Sequence, residues 1–142
     1  MDRRGVIGFP MRLMLAAVLL ALCTPVLAEM TEGFRDQTYE NEAQCQTDKI
    51  REASASLYMS GPGASRVVSL DIPAGYSITL GGEGAHAYSV SVYKGDEQVM
   101  TIYSEHPSYR FIETVGEISG HCELLLSCER HDGGCGIRAA VR

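Results

Sequence analysis

The sequence predicts an all-β protein, an antiparallel sandwich of about seven or eight strands behind an export signal. Two observations carry this. From about residue 55 the apolar residues recur every second position. Turn signals built on glycine and proline interrupt that alternation every 8 to 12 residues. The topology expected is jelly-roll-like or immunoglobulin-like, with one wet face on each sheet.

The export signal comes first. Arg3, Arg4 and Arg12 form a positive lead, and Leu13 to Leu22 an apolar core. Val26-Leu27-Ala28 then offers a cleavage site before the acidic Glu29. This is the secretory order of elements, and the apolar run is shorter than the ~20 residues of a membrane-spanning helix. Met11-Arg12-Leu13 makes a second plausible start. Arg3-Arg4 is a weak match to a twin-arginine signal, and general secretion fits better. Cys23 follows the large Leu22 rather than a small residue, so it reads as part of the discarded signal and not as a lipid-modified cysteine. The expected organisation is a signal at 1–28, an acidic segment at 29–54 with a short helix over 42–53, and a sandwich at 55–142. The destination is the periplasm or the exterior, with no stable membrane insertion once the signal is removed.

Each strand has its own alternation. Leu57 and Met59 open the series. Val68, Leu70 and Ile72 follow, then Tyr76, Ile78 and Leu80 after the Pro73-Ala74-Gly75 turn. Gly81 to Gly84 precede Tyr88, Val90 and Val92. Lys94 to Glu97 lead into a strand at 98–103, and Glu105 to Ser108 separate it from one at 109–115. A last hairpin joins Cys122–Cys128 to Ile137–Val141 around the polar turn Glu129 to Gly134.

The cysteines read as staples. Cys45, Cys122, Cys128 and Cys135 remain after signal removal, and an exported small domain oxidises such residues. A strand puts Cys122 and Cys128 about 20 Å apart, beyond the ~7 Å reach of a disulfide. The expected pairs are therefore Cys128–Cys135 across the hairpin and Cys45–Cys122 over a long loop. The hairpin register that places Cys128 opposite Cys135 also sets Leu126 opposite Ile137 and Leu124 opposite Ala139.

Charge narrows the partners. The whole chain carries a formal charge of −6, and removing 1–28 strips three arginines from it. Nucleic acid and anionic membrane call for basic patches and are not expected partners; a basic protein is. No Gly-x-Ser-x-Gly elbow, Cys-x-x-Cys motif or haem attachment motif is present, and no enzyme activity is expected. Glu83, Glu105, Glu113 and Glu117 read as solvated carboxylates rather than a glycosidase pair. His121, Cys122, Cys128, His131 and Cys135 have zinc-ligand types, but oxidation accounts for the thiols, and no metal or other cofactor is expected.

Two loops carry the candidate binding residues: His106, Tyr109 and Arg110 in one, and Arg130, His131 and Asp132 at the hairpin tip. Aromatic and arginine side chains on ordered loops are the usual anchors of protein recognition. The expected function is an exported, acidic, disulfide-bonded binding protein, of the inhibitor or immunity type, directed against a basic hydrolase. The alternatives are a small-ligand or carbohydrate-binding sandwich using Tyr88, Tyr93 and Tyr103, and a metal-binding protein using the four histidines with Met59 and Met100.

Overall fold

The computed structural model describes the backbone of residues 4–142 and side chains from residue 8. Arg3, part of the expected signal, lies outside the described residues. The first element is one 57-residue helix, α1 (Arg4–Ser60). Eight strands follow: β1 (Ser65–Asp71), β2 (Tyr76–Leu80), β3 (Ser89–Lys94), β4 (Glu97–Tyr103), β5 (Arg110–Phe111), β6 (Val115–Ile118), β7 (His121–His131) and β8 (Gly134–Val141). They form two four-stranded sheets, ordered β1-β7-β8-β5 and β4-β3-β2-β6. The fold is therefore mixed α/β, and the all-β expectation is corrected.

The chain divides into two compact units, Met1–Thr38 and Tyr39–Arg142. In the first, the described side chains of α1 are exposed, including Leu13, Leu19, Leu22 and Leu27. Among the described residues, only α1 is long and apolar enough to cross a membrane.

The second unit holds the core. Along α1 the buried positions are Ala43, Gln46, Thr47, Ile50, Ala53, Ser54 and Leu57, the three- and four-residue spacing of one helix face. Of these, Ala43, Ile50, Ala53 and Leu57 join Leu70, Ile78, Leu80, Val90, Val92, Leu124, Leu126 and Ile137 from the two sheets in one cluster. Leu57 and Met59, expected to open a strand, lie on α1. Leu57 is buried on its inner face, whereas Met59 is 76% exposed. The helix continues through 29–42, expected as an acidic lead ahead of a short helix over 42–53, and ends at Ser60 before the Gly61-Pro62-Gly63 turn, where Gly61 takes a φ of 87°.

The β7–β8 hairpin is tighter than expected. Its turn is Asp132-Gly133 alone, both at positive φ (48° and 77°), the conformation that a two-residue turn demands. The strands consequently run on to His131 and Gly134. Cys128 faces Ile137, Leu126 faces Ala139 and Leu124 faces Val141. That is a slip of two residues from the expected register. An even slip keeps every side chain on its face, so the apolar pattern alone did not fix it. Cys135 now sits opposite Arg130 and diagonal to Cys128. All five cysteines are free thiols in this structure, with Cys45 exposed on α1 and Cys128 buried. Burial first, and the neighbouring Cys135 thiol second, push the Cys128 thiol above its ordinary value.

Candidate binding surfaces

The second unit presents a cleft of about 310 Å³ between α1 and the segment leading into β5. From the helix come Asp48, Arg51, Glu52 and Ala55, whose spacing puts them on one face. The opposite wall is Ser104, Glu105, His106, Pro107 and Tyr109. This wall is pinned at its base. The Ser104 hydroxyl donates to the Tyr109 carbonyl at 2.7 Å and accepts from the Tyr109 amide at 3.2 Å. The His106–Pro107 peptide between them is cis.

Tyr109 belongs to the scaffold of this cleft. Only 3% of it is exposed. Its ring meets Phe111 edge-on at 5.7 Å, and its hydroxyl donates to the Arg51 carbonyl at 3.3 Å. Burial raises its pKa, a rise that the nearby Arg51 charge and Ser54 partly offset. Arg51 also pairs with Asp48 at 3.2 Å. Around that pair Glu52 and Glu105 add two further carboxylates, so the cleft is net acidic. Asp48, Arg51 and Glu52 are absent from the sequence-based candidates. Their signal was the three- and four-residue spacing of charges on a helix whose buried stripe is itself partly polar.

The hairpin tip forms a separate surface. β5 pairs in parallel with β8, setting Arg110 opposite Gly136. Arg110 Nη1 thereby reaches Asp132 Oδ2 at 3.7 Å, and His131 Nε2 reaches the same oxygen at 3.1 Å. Arg130 to Cys135 line a shallow hollow there. The six expected binding residues thus fall into two groups: His106 and Tyr109 at the cleft, and Arg110, Arg130, His131 and Asp132 at the tip.

Of the tyrosines considered for a small ligand, Tyr93 and Tyr103 lie on the same polar face of β3 and β4, with the Tyr103 ring tilted against His86 at 6.2 Å. Tyr88 closes the short 3-10 helix Gly84–Tyr88. The histidines do not converge: His121 and His131 stand at opposite ends of β7. Among the described residues no three His, Cys, Asp or Glu side chains gather as a metal site. No family model, curated protein or solved structure matches this chain.

Proposed function

We propose that the chain is an exported binding protein whose domain, residues 39–142, captures a basic protein partner at the acidic cleft. The observation that carries this reading is the grouping of Asp48, Glu52, Glu105 and His106 around one arginine already tied to Asp48. Glu52 and Glu105 are then placed to receive a lysine or arginine side chain from a partner. The pinned Ser104–Tyr109 segment supplies a stiff edge, which lowers the ordering cost of binding. Net negative charge speeds encounter with a basic surface, and that rate falls as salt rises. An inhibitor or immunity-type role against a basic hydrolase fits these features.

The test is capture of basic proteins from an envelope extract at low and high salt, by the parent and by the double variant E52Q/E105Q. Loss of about tenfold in affinity, with a flatter salt dependence, is expected for removal of two such charges. Equal capture by the folded variant refutes the cleft assignment.

The apolar stretch of α1 supports export. Removal after Ala28 is the first reading. A second rests on the length and apolarity of the helix, which suffice to cross a membrane: the stretch stays in place as a membrane anchor. Intact mass of the protein recovered from the envelope separates them, since a chain beginning at Glu29 was cleaved.

A further inference from the structure

We propose that the outer face of the β4-β3-β2-β6 sheet is a binding site for a neutral sugar, centred on Tyr93 and Glu117. The site is distinct from the acidic cleft and independent of it.

The inner face of this sheet is apolar, with Ile78, Leu80, Val90 and Val92 all buried. Strict alternation therefore sends Ser77, Thr79, Ser91 and Tyr93 to the other side. Two irregularities then bring further polar groups to that side. Between β3 and β4, Val92 faces Met100 while Tyr93 faces Gln98. Val99 is thus the extra residue of a bulge, and Gln98 takes the place beside Tyr93 that Val99 would otherwise fill. Between β2 and β6, Ile78 faces Ile118 and Leu80 faces Val115. Gly116 and Glu117 together oppose Thr79, which makes a second bulge. Bulges re-aim side chains at the cost of ladder hydrogen bonds, and they recur beside functional sites.

Glu117 carries a second cost, in its backbone. Its φ is 42°, a left-handed conformation unfavourable for a residue with a Cβ. Such strain persists where surrounding structure enforces it and is concentrated at sites of function. Gly116 precedes it, so a freer residue was one position away.

The result is a concavity of about 190 Å³ lined by Ser77, Thr79, Tyr93, Gly95, Asp96 and Glu117. The donors around it are oriented by one another. The Tyr93 hydroxyl donates to Gln98 Oε1 at 3.3 Å, the Gln98 amide donates to the Thr101 hydroxyl, and that hydroxyl meets Ser91 Oγ at 3.1 Å. Hydroxyls that both donate and accept, beside acceptor-only carboxylates and an aromatic ring, complement a ligand with many hydroxyl groups and one apolar C–H face. A sugar ring has both features. A simple anion is disfavoured by Asp96 and Glu117.

The experiment is titration of the full-length chain with glucose, galactose, mannose and N-acetylglucosamine, read by tyrosine fluorescence and calorimetry, with calcium as a control. A saturable response to at least one sugar is expected. Y93A should weaken it about tenfold, through loss of the stacked ring, while E52Q/E105Q leaves it unchanged. E117G discriminates further: it relieves the strained φ, so thermal stability rises while sugar affinity falls. No response to any of the four sugars, a response that survives in folded Y93A, or binding of calcium alone overturns the proposal.

Discussion

Residues 8–38 and residues 39–60 of α1 share a backbone conformation, yet the more apolar stretch is the one left uncovered. The first carries Leu13, Leu15, Leu19, Leu20 and Leu22, all exposed. The second buries a stripe in which three of seven residues are polar: Gln46, Thr47 and Ser54. Two of these polar groups have partners, whereas the buried Ser54 hydroxyl has none among the described residues. The Thr47 hydroxyl donates to the Ala43 carbonyl at 3.0 Å. Gln46 Oε1 accepts from the Asp71 amide at 3.4 Å and from Lys49 Nζ at 3.2 Å. Burial in this protein therefore follows the spacing of side chains along one helix face, while uniform apolarity marks a stretch suited to an apolar surrounding outside the domain.

The sharpest way to break this comparison is a matched pair of truncations. Ile50 is fully buried and Leu19 is exposed. Ile50→Ala should destabilise the domain by about 3 kcal/mol, within the usual cost of a cavity left by a large aliphatic side chain. Leu19→Ala should leave the midpoint of the same transition in place. Denaturant unfolding of both variants checks this. An equal loss in the two would place residues 8–38 in the cooperative core.

That stripe also explains what was legible in the sequence. The alternations Tyr76-Ile78-Leu80 and Leu124-Leu126-Cys128 pointed to strands, and strands are there as β2 and β7. The helix over 39–60 was largely hidden. Gln46, Thr47 and Ser54 stand where apolar residues would have announced the period, leaving Ala43, Ile50 and Ala53 as weak anchors for a segment of 42–53. Taking residues 55 to 59 as the start of a strand followed from the chance alternation of Leu57 and Met59. With the helix shortened, Asp48, Arg51 and Glu52 had no face to share, and the cleft they build with Glu105 and His106 was out of reach. The hairpin residues Arg130, His131 and Asp132 were legible because a turn declares itself locally through Asp-Gly. Their link to Arg110 was not, since it depends on the parallel pairing of β5 with β8.

A smaller effect sharpens the contrast at the helix's partly polar boundary with the loop. Tyr109 is a phenol held in the core by one long hydrogen bond to Arg51. Tyr109→Phe should cost about 1 kcal/mol near neutral pH, the usual net worth of such a bond. Its pH dependence is the more telling readout. Burial keeps the phenol protonated above its ordinary value, so on the alkaline side the unfolded chain gives up this proton first. The unfolded state then binds fewer protons, and stability falls as pH rises through about 10. Cys128, raised in the same direction, adds a loss of the same sign that begins lower, because a thiol ordinarily titrates below a phenol. Tyr109→Phe should remove the upper part of this decline and leave the lower part. Midpoints measured at neutral and alkaline pH test it, and an unchanged alkaline slope would mean that the phenol is already wet.

The least effect is expected where charges face water. Asp132 meets both Arg110 and His131, yet its side chain is 72% exposed, and exposed pairs contribute little because solvent screens them. Asp132→Asn keeps a residue suited to the left-handed first position of the turn and deletes the charge. The expected change in unfolding free energy is within about 0.5 kcal/mol, and smaller still in high salt. The neighbouring position supplies the contrast. Gly133→Val forces a branched side chain into a φ of 77° and should cost about 1–2 kcal/mol through backbone strain alone. If Asp132→Asn instead proves the more damaging of the two, the tip is held by its charges rather than by its turn. Arg110, reaching in from β5, would then be the residue that sets the register of the β7–β8 hairpin.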